Sequence, residues 1–284
     1  MIKVLKAGFY SSIQDRGRVG FASNGVPVSG VMDAFSADLA NSILNNSLKD
    51  AVLEITFGGC ELQFLTATNI CISGGDFSPT INKKPIKLNA NIKVEEGAIL
   101  SFGKIHFGVR CYLAVQKGFQ TEKILNSRSF YQNITKNTRI QKGDLLPLDK
   151  NISTKESATS SLKPIKSYFE NSELECYKGP EFELLNHQQR NILLTKNFTI
   201  SNNNRMGYRL NEIISNSLSS ILTSAVLVGT VQLTPSGKLI VLMRDCQVTG
   251  GYPRILQLSE KSINRLSQKK MSQNIYFTLK NCLS

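Results

Sequence analysis

The feature that most constrains this chain is the rhythm of its apolar residues. They come in short runs, each cut off by glycine or asparagine. Val52-Leu-Glu-Ile-Thr-Phe57 stops at Gly58-Gly59, and residues 61–65 follow at once. Residues 69–73 stop at Gly74-Gly75, and the pattern continues through residues 92–94, 98–102 and 109–115. Runs this short and this close leave no room for the helical crossovers that parallel strands require, so they imply a sandwich or barrel. Residues 198–200, 238–243 and 274–279 extend the same reading into the second half. The expected class is mainly β with a few short helices, arranged as two β domains.

Three helices are expected. Residues 34–44 place Phe35, Leu39, Ile43 and Leu44 on one face, with Asp33 or Ser36 as the cap and Asn45-Asn46 as the stop. Residues 181–194 offer Phe182, Leu185, Ile192 and Leu193 as a buried side, and a short helix begins near Ser259 with Ile263 and Leu266 inward. Residues 149–163 nearly lack large apolar side chains. The expected division is therefore a first domain over 1–150, a linker or surface loop over 151–163, and a second domain over 164–284.

The composition, 41% hydrophobic and 19% charged over 284 residues, suits a globular chain with a sizeable core. No apolar run reaches the roughly 18 residues of a membrane span, and no signal-peptide core precedes Gln14-Asp-Arg-Gly-Arg18. A cytoplasmic chain without membrane contact is expected. The formal charge of +13 is divided almost evenly between the halves, with no basic tail, so it favours small anions over nucleic acid. The six cysteines are scattered without a C-x-x-C, and the two histidines, His106 and His187, are isolated. A disulfide scaffold, a multi-histidine metal site and histidine-based catalysis are all disfavoured. Cys246 beside Asp245 has no neighbouring histidine to activate it and reads as a bystander.

Three clusters combine glycine with charged or amide side chains. The first is Ser12-Ile-Gln-Asp-Arg-Gly-Arg-Val-Gly20, continuing to Asp33. The second is Asn202-Asn-Asn-Arg-Met-Gly-Tyr-Arg-Leu210. The third joins Gly229-Thr-Val-Gln232 with Arg244-Asp-Cys-Gln-Val-Thr-Gly-Gly-Tyr-Pro253. Guanidinium groups grip carboxylate or phosphate through paired donors, and glycine lets a ligand approach the backbone. Asp15, Arg18, Arg205 and Asp245 are the catalytic candidates. Gln14, Asp33, Arg209, Gln232, Gln247, Thr249, Gly250, Gly251 and Tyr252 are the substrate-binding candidates. Asp15, Asp33 and Asp245 suit Mg²⁺ or general-base duty, and Gln14, Gln232 and Gln247 suit an amide or ureido group. The same composition also makes tight turns and buried ion pairs in β proteins. A faint echo links Arg16-Gly-Arg-Val-Gly20 with Arg205-Met-Gly-Tyr-Arg209, which two related domains or chance would equally explain. Walker and Rossmann glycine motifs are absent, and so is the Met-Lys dipeptide of biotin attachment; no covalent biotin is expected on this chain.

In this order, the clusters resemble the family of biotin-dependent carboxyltransferase-like proteins, which includes the 5-oxoprolinase C subunit, KipA and the carboxyltransferase portion of urea carboxylase. The resemblance also draws on Leu53-Glu-Ile-Thr56, residues 110–115 and Gly179-Pro180, and it spans essentially the whole chain. It departs at Lys117-Gly118, where the family usually has Gly-Gly, and over residues 259–272. The resemblance implies a cyclophilin-like barrel and work beside a KipI-like 5-oxoprolinase B subunit. With that partner and the 5-oxoprolinase A subunit, it implies ATP-dependent opening of 5-oxoproline to L-glutamate through a phosphorylated lactam, with Mg²⁺ accompanying ATP. Its alternatives are carboxyl transfer from carboxybiotin to urea or a similar amide, and a KipA-like regulator that binds a KipI-like kinase inhibitor without catalysis. The organising expectation is that Arg18, Arg205 and Asp245 line one anion-receiving cleft.

Overall fold

The computed structural model describes residues 1–149 and 162–280. The chain divides into two compact units: Met1–Arg18 with Ser29–Phe169, and Val19–Val28 with Glu170–Ser284. Val19–Val28, expected in the first domain, thus groups with the second unit, and most of the expected linker lies outside the described residues.

The first unit contains two sheets. One runs, in spatial order, Tyr10–Gln14, Val52–Thr56, Phe107–Val115, Thr68–Asp76 and Ile92–Val94. The other runs Leu145–Leu146, Ile2–Ala7, Cys60–Phe64, Ile99–Ser101, Thr80–Ile81 and Lys84–Pro85. Strand alternation explains how the core is built. Leu53 and Ile55 join Cys111, Leu113 and Val115 in one cluster with Ile2, Val4, Leu62, Phe64 and Leu100 from the other sheet. Val52, Tyr112 and Ala114 point the opposite way, into a second cluster with Ala34, Ala37, Ala40 and Ile43 of the helix Ala34–Ile43. Val52–Thr56 is buried at every position, which is why its apolar residues do not alternate with exposed polar ones. Asp33 caps the helix by accepting from the Ser36 backbone N–H.

The second unit is a closed barrel of seven strands. In order around it lie Glu173–Lys178, Arg254–Leu258, Thr230–Leu233, Lys238–Leu242, Gly207–Ile213, Phe198–Asn203 and Asn274–Leu279. The last strand closes the ring by pairing in parallel with the first. Tyr208, Leu210, Val231, Leu233, Leu239, Val241 and Leu256 recur at alternate positions and are fully buried. The helix near Ser259 forms as Glu260–Ser267 with Ser259 as its cap. The stretch 181–194 breaks in two: a 3₁₀ turn, Phe182–Leu184, precedes the helix His187–Thr195. Asn186 starts that helix through a capping box with Gln189, a local signal strong enough to restart the chain there. A sheet pair and a closed barrel are different architectures, so the echo between the two halves does not mark a repeated domain.

No described helix is long and apolar enough to cross a membrane.

Candidate functional site

In the first unit the candidate residues are built into the scaffold. Asp15 takes donors at Oδ1 from the Gly17 N–H at 2.8 Å, Ser127 Oγ at 2.6 Å and Ser129 Oγ at 2.7 Å. Its Oδ2 accepts from the Arg128 N–H at 2.6 Å. Arg18 is fully buried and donates Nη2 to the Ser129 carbonyl. Gln14 is also fully buried, donating to Ser12 Oγ at 3.0 Å and the Phe130 carbonyl at 3.3 Å. The carboxylate of Asp33 receives the Ser36 hydroxyl at 2.6 Å and the Tyr168 hydroxyl at 2.8 Å. These groups tie residues 12–18 and the helix start to the loop around Ser129 and to Tyr168.

Sequence reasoning passed over a buried pair here. Glu54, fully buried, accepts the Met32 N–H at 2.7 Å and faces the Arg110 guanidinium at 3.8 Å. Their signal was a single charge inside an otherwise apolar strand, which survives burial only with a partner. His106 lies exposed at a cavity of about 700 Å³ with Asp76, Lys87 and Lys163, and none of the candidate residues lines that cavity.

The second unit brings its candidates together. Arg205 donates Nε to Asp245 Oδ2 at 2.8 Å and Nη2 to Oδ1 at 3.1 Å, a forked pair whose side chains are about nine-tenths buried. The Asp245 N–H returns a bond to the Arg205 carbonyl at 2.8 Å, locking the turn at Arg205 to the loop at Asp245. Arg205 therefore meets the anion-binding expectation with its charge already matched. Burial and the Asp245 carboxylate push the neighbouring Cys246 thiol up to about 11, far from a nucleophilic thiolate at neutral pH.

A second arrangement covers the outer wall of the barrel. Arg209 pairs with Ile240, Ile240 with Gln232, and Gln232 with Arg254 across four adjacent strands. Residues directly opposite share a face, so this is one transverse row. After Leu242 the chain leaves the barrel and returns at Arg254. On the way, Thr249–Gly250 pairs with Ser224–Ala225 and passes over Gln232. A Cβ added at Gly250 would sit 2.7 Å from Gln232 Nε2, so glycine is what allows this close passage. Gln232 is 2% exposed, and its enclosed Nε2 has no acceptor among the described residues. Arg209 is exposed and has no ion pair among the described residues. Gln247, Thr249 and Tyr252 face solvent from the covering segment, while Gly251 holds it by accepting the Ile221 N–H at 2.9 Å.

Two further residues anchor this cover. Arg254 donates to both Glu181 oxygens, Nε to Oε2 at 3.0 Å and Nη2 to Oε1 at 2.7 Å. Its Nη1 holds Ser224 Oγ at 2.8 Å and the Ala225 carbonyl at 2.9 Å. The Arg254 guanidinium keeps the Glu181 carboxyl below the usual carboxylate range. Gly179 fits because a Cβ there would lie 2.2 Å from the Arg254 carbonyl oxygen. The available hint was Gly179-Pro180 immediately before Glu181, with Arg254 directly after the third cluster.

Asp15, Asp33 and Asp245, the candidates for Mg²⁺, each spend their oxygens on protein donors in this arrangement and do not fit a metal. Among the described residues, no group of three or more His, Cys, Asp or Glu is placed to hold one.

The profile of the carboxyltransferase domain, subdomains A and B, matches residues 24–279. The chain belongs to this family. It is 28% identical to the 5-oxoprolinase C subunit of Escherichia coli K12, an alignment covering 98% of this chain and 90% of that one. It is 43% identical to the urea amidolyase of Lachancea kluyveri over 130 residues, which is 45% of this chain and 7% of the other. The crystal structure of the Kluyveromyces lactis urea amidolyase superposes with a TM-score of 0.87 at 28% identity, covering 99% of this chain and 19% of that one. The expected β architecture of the carboxyltransferase-like family is thus the architecture of this protein.

Proposed function

We propose that this chain is the C subunit of an ATP-dependent 5-oxoprolinase, which opens 5-oxoproline to L-glutamate together with A and KipI-like B subunits. The observation that carries the reading is its end-to-end correspondence with the E. coli C subunit, whereas the urea amidolyases correspond to it over only a small part of their length.

A five-membered lactam is a poor electrophile because nitrogen donates into its carbonyl. Transfer of the γ-phosphoryl group of ATP to the carbonyl oxygen releases ADP and converts the lactam to a cyclic imidate phosphate, whose carbon is open to attack once its nitrogen is protonated. Water then adds at the same carbon and the C–N bond breaks, with the nitrogen leaving as the amine. The acyl phosphate that remains is hydrolysed by a second water to glutamate and phosphate. Such a reaction needs positioning and charge neutralisation more than covalent participation by the protein. The outer row of the barrel supplies both kinds of group. Arg209 presents a guanidinium to an incoming anion, and Gln232 presents an amide. Arg205, matched by Asp245, acts as a positioning residue that fixes the start of the covering loop.

Reconstitution with A and B partners tests the reading. Glutamate is expected only when ATP and 5-oxoproline are both present, and its absence under those conditions overturns it. The 43% identity to a urea amidolyase segment favours a second reading, carboxyl transfer from carboxybiotin to urea or a similar amide. That reading requires activity to be abolished by avidin, whereas the oxoprolinase reading requires indifference to it.

A further inference from the structure

The row across the barrel wall is unevenly matched. Its Arg254 end is saturated by Glu181, Ser224 and Ala225, and its middle is apolar at Ile240. Among the described residues, the remaining two polar groups are unmatched in opposite ways: Arg209 carries an exposed charge without a carboxylate, and Gln232 Nε2 is an enclosed donor without an acceptor. A buried donor left without a partner is costly, so a fold keeps one where something else completes it.

We infer that Gln232, Ile240 and Arg209 form a subsite for a small cyclic amide acid, with the ring carbonyl oxygen at Gln232 Nε2, the ring over Ile240 and the carboxylate at Arg209. This rests on the 5-oxoprolinase reading and gives that substrate its orientation. The strands of Gln232 and Arg209 flank the strand of Ile240, so their backbones lie roughly 10 Å apart. A five-membered ring with substituents at both ends covers part of that span, and the flexible arginine stem closes the rest. The oxygen reaches Nε2 by displacing Thr249–Gly250, which pairs with Ser224–Ala225 and is flanked by the backbone bonds from Ile221 to Gly251 and from Val226 to Val248. Opening it breaks this short pairing locally, and Gly250 places no side chain in the way.

The test is calorimetric titration of the full chain, alone and with its A and B partners, using three probes. These are 5-oxoproline, L-proline (the same ring and carboxylate without the oxygen, its nitrogen an ammonium in place of the amide) and 2-pyrrolidinone (the lactam without the carboxylate). The wild-type protein is expected to prefer 5-oxoproline over each analogue by at least about tenfold, since a site built around a hydrogen bond rejects ligands that cannot make it. Gln232→Met should abolish the preference over L-proline and keep that over 2-pyrrolidinone, and Arg209→Met should do the reverse. Gly250→Ala, which fills the space above Nε2, should weaken 5-oxoproline and leave L-proline unchanged. A Gln232→Met protein that still discriminates against L-proline, or a wild-type protein that discriminates in neither setting, overturns the subsite. A purely structural role for Gln232 would weaken all probes alike with a lowered Tm, which also overturns it. If the preferences hold but no glutamate forms, the subsite stands and the 5-oxoprolinase reading falls. If glutamate forms while Gln232→Met leaves the KM for 5-oxoproline unchanged, the 5-oxoprolinase reading stands and the subsite falls.

Discussion

Asp15 and Asp245 stand in similar sequence surroundings, each beside an arginine and close to glycines, yet the two regions use their charge differently. Asp15 takes four hydrogen bonds from two serine hydroxyls and two backbone amides, while the buried Arg18 donates to a carbonyl of the same loop. Asp245 instead meets a guanidinium in a forked pair, and the wall beyond it carries an exposed arginine and an enclosed amide. Motif composition announces that polar groups are buried together. Whether they are consumed by the scaffold or left for a ligand depends on which donors the rest of the fold brings to them.

The largest effect that would break this contrast comes from the first region. Asp15→Ala strands several buried donors at once and should cost about 4 kcal/mol, measured as a lowered urea midpoint with unchanged slope. A loss under about 1 kcal/mol would mean that Asp15 is not the scaffold group described here. In the second region Asp245→Ala should cost about 3 kcal/mol by leaving Arg205 without its carboxylate, whereas the double variant Arg205→Met with Asp245→Leu should regain most of that loss. Additive single effects would show the pair to be independent and erase its distinction from the Asp15 network. The smallest effect is a pH dependence. Arg254 lowers the Glu181 pKa in the folded protein, so this contribution is present above the ordinary carboxyl value of 4.5 and is lost as pH falls through the depressed folded value. Glu181→Gln should flatten the decline of stability in that acidic window, read from urea midpoints at several pH values; an unchanged slope would remove the anchor role.

Much of the fold was legible because its signals are local. Asp33 and Ser259 announce helix starts, and Gly58-Gly59 ends a strand where the spacing says it should. The forked pair was half legible, since both Arg205 and Asp245 sit in conspicuous clusters. The anchor was not: Glu181 and Arg254 are 73 residues apart, and only barrel closure makes them neighbours. Gln232 was expected in a glycine-rich ligand cluster but lies in a strand, Thr230–Leu233, and its burial comes from a segment that crosses it from outside. No window of sequence contains that crossing. Lys117 shows the converse: it adopts φ 61°, a left-handed conformation that favours glycine, so the chain accepts local strain at a position where a lysine gives no hint of the turn.

The ring of seven strands carries a consequence of parity. An odd number of members cannot alternate direction all the way around, so one junction must run head with head, and here it joins Glu173–Lys178 to Asn274–Leu279. The seam is thus made by the two extremes of the ring's own stretch of chain, and the ring cannot seal until its final segment has been synthesised. Deleting that segment would expose two raw edges, each inviting a stranger's strand.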